Sequence, residues 1–473
     1  MSVNTRRTRL EPNPTTEDPN NNKAQDPNQP ELGWWSVKSD VKLPVKVAEL
    51  RRKLYLKAKQ EPKFRFYALY DRIYRRDVLA AAWWIVLAKD KSPGIDGVTC
   101  QDITDAPGGA AQYLDALQES LRTKTYRPDR VKRTYIEKPD GRKRPLGIPT
   151  MRDRIVQTAA VLILESIFEA DFLDTSYGFR PERSAQDAIQ AIQGHLQQGF
   201  REVYDADLQG YFDTIPHDKL ILALQVRIAD RAVMHLIQMW LACELVEEND
   251  DGKHHITRSD RGTPQGGVIS PLLSNVYLHW FEVAFHLQDG PAQFAKAKIV
   301  RYADDFVILA RYQGQRLLDW ISTTLEKRFE LTINREKTKV VKLNHHHASL
   351  DFVGYTFRYD RDLKGRAHRY LNIFPSRKAM AKARDAIRDL TRPQRCFMPV
   401  VKMIDEINVW QRGWTNYFRY GYPRVAFRDI HYYVVAKLTT HLKRRSQRAY
   451  RPPVGKSYYA HVHDLGLKRP RTT

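Results

Sequence analysis

Cysteine is scarce in this chain of 473 residues. Cys100, Cys243 and Cys396 are odd in number and far apart, which excludes a disulfide framework and a Cys-x-x-Cys zinc ribbon and fits a reducing, cytoplasmic setting. Long apolar runs are missing too. The longest, residues 78–88 (VLAAAWWIVLA), is too short to cross a bilayer and is flanked by charge, so it reads as a buried helix and no membrane partner is expected. The opening MSVNTRRTRLEPNPTTEDPN has no apolar core, so no secretory signal is visible in it. Acidic residues also run short, with 55 Asp and Glu against 78 Lys and Arg, a net charge of +23. An excess of that size points to a polyanionic partner, nucleic acid ahead of a membrane surface. The 42% apolar content is ample for a core, and the length suggests two or three domains.

Residues 1–33 are rich in Asn, Pro, Asp and Thr and read as a disordered tail, with folding expected to begin near Trp34. Residues 41–88 show a helical pattern with basic and aromatic residues mixed in. The middle alternates strand-like stretches (130–138, 201–208, 299–312) with helical ones (150–170, 182–198), which predicts an α+β core. Beyond LDFVGYTFRYD (350–360), the chain from about Ser376 reads as helical, basic and aromatic. No internal repeat is visible.

The stretch IVRYADDFVILARY (299–312) sets Asp304 and Asp305 side by side within an apolar, β-branched run that reads as two strands joined by a tight turn. One aspartate satisfies turn chemistry. The second adds like-charge repulsion that a divalent cation removes. A two-metal nucleotidyl transfer site needs a further carboxylate from another strand. REVYDADLQGYFDTIPH supplies it: alternation puts Val203, Asp205 and Asp207 on one face, and Asp207 ends the strand. KPDGRKRPLGIPT (138–150) flanks an Asp-Gly turn with Lys138 and Arg144, a basic hairpin suited to a triphosphate. RGTPQGGVISPLLSN (261–275) has three glycines that let backbone approach a base or sugar before a helix begins. KSPGIDG (91–97) is a constrained turn and FVGYTF (352–357) an apolar hairpin. The run His345-His346-His347 is not read as a metal site, since consecutive side chains diverge.

These blocks, in this order from about Lys91 to Phe357, resemble the reverse transcriptases, and more narrowly the group II intron-encoded reverse transcriptase/maturase family. The resemblance implies a right-hand polymerase, with fingers and an antiparallel palm sheet followed by an α-helical thumb or maturase domain. It implies Asp207, Asp304 and Asp305 as catalytic metal ligands, with the Leu208 carbonyl as an extra ligand, and two Mg2+ ions for which Mn2+ can substitute. Lys138 and Arg144 match residues that hold the triphosphate, and Gln265 and Gly266 match those beside the nucleotide and template. Phe212 stands at the gate that rejects a 2′-hydroxyl, and Phe352, Val353, Gly354 and Tyr355 fall in the primer grip.

Residues 407–445 resemble the thumb or maturase domain that grips intron RNA. Trp410, Trp414 and Phe418, at helical spacing, are expected to pack inward. The interspersed basic residues Arg412, Arg419, Lys443, Arg444, Arg445 and Arg448 are the expected RNA contacts. The domain reading is a tail (1–33), an N-terminal extension with fingers (34–200), a palm (201–365), a helical thumb or maturase domain (366–450) and a basic tail (451–473) that engages RNA. Nothing after Tyr450 resembles the Cys-rich HNH endonuclease of many relatives. The implied partners are group II intron RNA, an RNA template with DNA primer, target DNA and dNTPs. The implied work is cDNA synthesis, help in splicing and target-primed mobility, in the cytoplasm of a bacterium as a nucleoid-associated ribonucleoprotein. A domesticated relative in phage defence, CRISPR spacer acquisition or DNA repair shares the same polymerase blocks, and a splicing cofactor without polymerase activity is the third reading. The sequence fixes no oligomeric state.

Overall fold

The computed structural model describes residues 42–470, apart from 90–91, 138–140, 142, 249–253, 363–368, 447 and 449. The expected N-terminal tail, Trp34, Lys91 and Lys138 lie outside the described residues.

Among the described residues, eleven strands build three sheets. β1 (Val131–Glu137), β2 (Lys143–Ile148), β4 (Leu245–Glu248) and β5 (His254–Thr257) form one, in the order β2-β1-β4-β5. β3 (Glu202–Ala206), β6 (Lys298–Tyr302), β7 (Asp305–Ala310) and β8 (Lys339–Lys342) form the second, antiparallel throughout, in the order β6-β7-β3-β8. β9 (Ser349–Phe352), β10 (Tyr355–Arg361) and β11 (Arg369–Pro375) form the third. Segment 201–365, read as a continuous palm, thus contributes β4 and β5 to the sheet of β1 and β2. The junction is a parallel pairing of Val131 with Leu245, which no local signal announces.

The central strands of the second sheet are buried on both faces. On β7, Phe306, Ile308 and Ala310 enter one core while Val307 and Leu309 enter another, as period-two alternation requires. Val203 likewise is fully buried in the second core, so the face it shares with Asp205 is apolar at one end. The first core holds the helix Met151–Glu169, which is buried nearly all round and capped by the Thr150 side chain, and the helix Ser270–His286. The second core holds the helix Ala185–Gln197, opened by a Ser184/Asp187 capping box. The apolar run 78–88 sits in the helix Arg76–Leu87, with Val78, Leu79, Ala82, Trp83 and Ile85 buried.

A third core belongs to the C-terminal helices Arg377–Leu390, Val400–Tyr417, Arg424–Arg444 and Tyr458–Asp464. The segment read as a basic tail is part of it, which corrects that expectation. Val462 and Leu467 are buried among Ile407, Ile430 and Val434. Asn408 and Gln411 donate to the carbonyls of Gly466 and Lys468 at 2.9 and 3.1 Å, and the Lys468 N–H donates back to Asn408. The basic composition of the segment hid a short apolar pattern.

Candidate active site

Strand pairing brings the three aspartates together. β3 runs antiparallel to β7 with Ala206 opposite Phe306, and β6 pairs with β7 through Tyr302 opposite Asp305. Asp207, one residue past β3, therefore lies beside Asp305 at the start of β7 and Asp304 in the connecting turn. Ala303 opens that turn with φ +60°, a left-handed conformation that costs an alanine strain. Gly178 packs against it so closely that an added Cβ would stand 2.1 Å from the Ala303 nitrogen.

Behind the turn lies a buried polar network that sequence reasoning missed. Arg301 and Glu282, both fully buried, pair at 2.7 Å. The same guanidinium donates to the Asn275 side-chain oxygen at 2.8 Å and to the Ala303 carbonyl at 3.0 Å. Asn275 in turn donates to the Gly178 carbonyl at 2.9 Å, and Thr175 donates to Glu282 at 2.9 Å. A buried ion pair offsets its desolvation only when such hydrogen bonds complete it, and here they run to the backbone of the turn itself. The available signal was Arg301, a charge at an inward position of the apolar run IVRYADD.

The electrostatics show mutual repulsion. The protein packed around Asp305, and next the carboxylates of Asp304, Asp207 and Asp205, push its carboxyl up to about 7, opposed by Arg144. Its side chain still reaches water. Asp304 is raised by burial, with Asp207 adding to the rise and Arg144 and Arg301 opposing it. Lys337 places its ammonium 3.5 Å from Asp207 Oδ2, standing where a cation relieves the carboxylates. Among the described residues, no three Asp, Glu, His or Cys side chains are close enough to enclose an ion unaided. The donor set nonetheless suits hard cations, with three carboxylates on neighbouring strand ends and a Leu208 carbonyl that accepts no hydrogen bond from a described residue.

In front of Asp304 opens a cavity of about 720 Å3 whose walls include Arg144, Phe179, Phe212, Gln265 and Gly266. The turn with Gln265 is stitched to β2: the Gly147 N–H donates to the Gln265 carbonyl at 2.5 Å. Gly266, at φ +106°, lies so close that a Cβ would be 2.4 Å from the Gly147 carbonyl oxygen. Thr263 donates to the Phe212 carbonyl at 2.6 Å, which fixes the aromatic against the same loop. Phe212 meets Phe179 edge to face at 6.4 Å. Phe179, also missed, is 49% exposed at φ +57°, an outlying geometry for a bulky residue facing a cleft. Gly94 of the KSPGIDG turn abuts the Thr150 backbone, and Ser92 reaches the cavity wall.

The predicted hairpin is present but outside that cavity. Phe352 pairs with Tyr355 across Val353 and Gly354, both at positive φ, the two-residue geometry that matches strand twist. The C-terminal helices clasp it: Tyr417 OH donates to the Val353 carbonyl at 2.9 Å, and Tyr355 OH donates to the Tyr417 carbonyl. Phe418 is buried as expected. Trp410 and Trp414 pack against the third core as expected, but only partly: they stack with ring centroids 6.2 Å apart and stay half-buried on the wall of a second cavity of about 630 Å3 shared with Lys378, Lys382 and the hairpin. Arg412 and Arg419 are exposed near the end of the helix Val400–Tyr417. Lys443, Arg444, Arg445 and Arg448 cluster around the end of the helix Arg424–Arg444, none of them lining the aspartate cavity.

Residues 136–357 match the model of the reverse transcriptase (RNA-dependent DNA polymerase) family, and residues 380–459 match the group II intron, maturase-specific domain. Protein YkfC of Escherichia coli (strain K12) is 32% identical over 368 residues, 70% of this chain and 93% of that one. Group II intron-encoded protein LtrA of Lactococcus lactis subsp. cremoris is 38% identical over 217 residues, 45% of this chain and 34% of LtrA. Apo telomerase from Candida tropicalis, truncated from its C-terminal domain, superposes with a TM-score of 0.35 at 13% identity, over 52% of this chain and 59% of that one, too loosely to define shared geometry. The segment that builds the aspartate cleft is therefore an RNA-directed DNA polymerase domain of α+β fold. With the maturase-specific domain behind it, the chain belongs to the group II intron-encoded reverse transcriptase/maturase family. No described helix is long and apolar enough to cross a membrane.

Proposed function

We propose that this chain extends a DNA primer on an RNA template at Asp207, Asp304 and Asp305, and that its C-terminal helices hold group II intron RNA for splicing and for target-primed insertion into DNA. The observation that carries this reading is the convergence of three carboxylates on paired strand ends beside a nucleotide-sized cavity that also presents Arg144, Phe212 and Gln265.

The three carboxylates and the Leu208 carbonyl would hold two Mg2+ ions, with Mn2+ able to substitute. Bound there, such ions supply the acidity of the primer 3′-hydroxyl and neutralise charge on the transferred phosphoryl group and pyrophosphate. Arg144, whose charge already reaches Asp304 and Asp305, takes the triphosphate with Lys138. Phe212, wedged by Phe179 and its carbonyl bond to Thr263, sets a rigid ring against the sugar and excludes a 2′-hydroxyl. Gln265 and the close-packed Gly266 line the base and template side. The hairpin of Phe352, Val353, Gly354 and Tyr355 seats the primer, and Arg412, Arg419, Lys443, Arg444, Arg445 and Arg448 contact intron phosphates. The setting that follows is cytoplasmic, in a ribonucleoprotein at the nucleoid.

Extension of a DNA primer on an RNA template, with and without Mg2+, alongside binding of a folded group II intron RNA, tests this. Mg2+-dependent cDNA synthesis and tight RNA binding by the same preparation are expected. Extension that ignores EDTA, or no preference for intron RNA over an unrelated RNA, would overturn the corresponding half.

A further inference from the structure

The last turns of the helices Arg377–Leu390 and Arg424–Arg444 line a concavity of about 510 Å3. Five cations, Arg388, Arg392, Lys437, Arg444 and Arg445, border it against the one carboxylate of Asp389. Arg388 pairs with Asp385, and Arg445 donates to the Cys396 carbonyl at 3.0 Å. Arg392, Lys437 and Arg444 have no carboxylate partner among the described residues; Lys437 only rests over the Tyr433 ring, 5.4 Å from its centroid. His441 lies in the same wall, 6% exposed, its Nδ1 3.2 Å from the Thr391 carbonyl and its Nε2 buried without a partner.

Cations at helix C-termini complement the helix dipole, which accounts for their sign. It does not account for their convergence on one cleft. Like charges gathered around a concavity repel unless an anion sits among them, and an unpartnered buried nitrogen in its wall is what a bound molecule or water satisfies. The volume is within the range of small-ligand pockets, so it admits a sugar–phosphate rather than a bare ion alone. Guanidinium groups match phosphate oxygens in pairs.

We infer that this concavity is a phosphodiester-binding site through which the C-terminal domain grips the backbone of its RNA, with Arg392, Lys437 and Arg444 as the principal contacts. The inference rests on the reading that the domain holds intron RNA, and it adds a defined pocket to a surface otherwise known only as basic.

The test is fluorescence anisotropy of the full chain with a folded group II intron RNA over a series of KCl concentrations. Replacing Arg392, Lys437 and Arg444 together by Ala should raise Kd at least about tenfold. It should also flatten the slope of log K against log salt by roughly 2 to 3, each phosphate contact carrying roughly 0.7–0.9. Replacing the exposed Arg316, Lys327 and Arg328 of the palm by Ala removes the same charge elsewhere and should change Kd by less than about twofold. Equal losses in both triples, or an unchanged slope in the first, would overturn the pocket. A melting curve accompanies each protein. If the pocket triple does not fold, Lys437→Ala alone decides, with a slope loss of roughly 0.7–0.9 expected and no loss overturning the site. Wild-type protein that binds intron RNA no tighter than duplex DNA of equal length would instead defeat the RNA reading on which the site depends.

Discussion

The polymerase segment and the C-terminal domain use charge in opposite ways. Residues 376–473 hold 22 Lys and Arg against 6 Asp and Glu, a net +16 of the chain's +23, whereas residues 1–375 hold 56 against 49. In the first segment, among the described residues, four of the five buried arginines are matched by a carboxylate, and the fifth, Arg154, donates to the Ser92 carbonyl at 2.6 Å. Arg301 pairs with Glu282, Arg180 with Glu169, Arg227 with Asp171 and Arg51 with Glu165. Behind the C-terminal helices, Arg392, Lys437 and Arg444 face outward with no carboxylate among the described residues. Charge turned inward fixes geometry, and the unpaired charge turned outward is what we propose meets RNA. Changes in the first region should therefore register in stability and kcat, and changes in the second in salt-dependent affinity.

The largest effect is expected at Arg301. Arg301→Met strands the Glu282 carboxylate in the core, at a cost of about 3–5 kcal/mol, and should be read as a lowered Tm. The pair Arg301→Met with Glu282→Leu replaces the charges by apolar groups of similar size and should recover most of that stability. It does not restore the bonds to Asn275 and the Ala303 carbonyl, so kcat should stay down by at least about tenfold with KM for primer–template little changed. Recovery of kcat together with Tm would show that the network serves stability only.

Truncation after Tyr450 comes next. It removes Val462 and Leu467 from the third core, worth roughly 1.5–3 kcal/mol for each buried side chain. The C-terminal domain should then melt earlier, and RNA affinity should fall with it. A truncated chain that melts like wild type would mean the segment is an appendage after all.

Phe212→Ala should raise the rNTP/dNTP ratio of kcat/KM by about 10–100-fold, the scale on which a pocket discriminates by size. An unaltered ratio would move the gate to another residue, with Phe179 the nearest alternative.

The smallest effect concerns His279, in the same helix as Glu282. Burial above all, with Arg301 and Arg180 adding to it and Glu282 opposing, pushes its imidazole down to about 4. An imidazole depressed on folding resists protonation, so its contribution is present above the ordinary value of 6.5 and is lost as pH falls from there towards 4. Between pH 7 and 5.5, wild type should lose about 1 kcal/mol more stability than His279→Gln, measured by urea melts at the two pH values. Parallel losses would place the imidazole in water.

How much of this was legible in the sequence depended on range. The Asp304–Asp305 hairpin, Asp207 at a strand end and the Val353–Gly354 turn follow from period-two patterns and turn chemistry within a dozen residues, and the structure has them where those rules put them. The sheet shared by β1 and β4 depends on a contact between Val131 and Leu245, distant in the chain and unmarked by either segment. The pairing of Arg301 with Glu282 was hidden for a different reason. A charged residue reads as solvated until the fold supplies its partner, here 19 positions away. Likewise, the last segment reads as a tail because its basic residues outnumber the few apolar ones that dock it.

The central claim, that chemistry and RNA grip reside in separate regions, is tested most directly by Asp304→Ala carried through both assays. Extension of a pre-annealed primer on RNA in Mg2+ should be lost. Kd for intron RNA, and its dependence on salt, should stay within about twofold of wild type if, as proposed, affinity comes from phosphate contacts on the C-terminal domain. Extension at wild-type rates, or loss of RNA binding by a variant that still melts like wild type, would contradict the account.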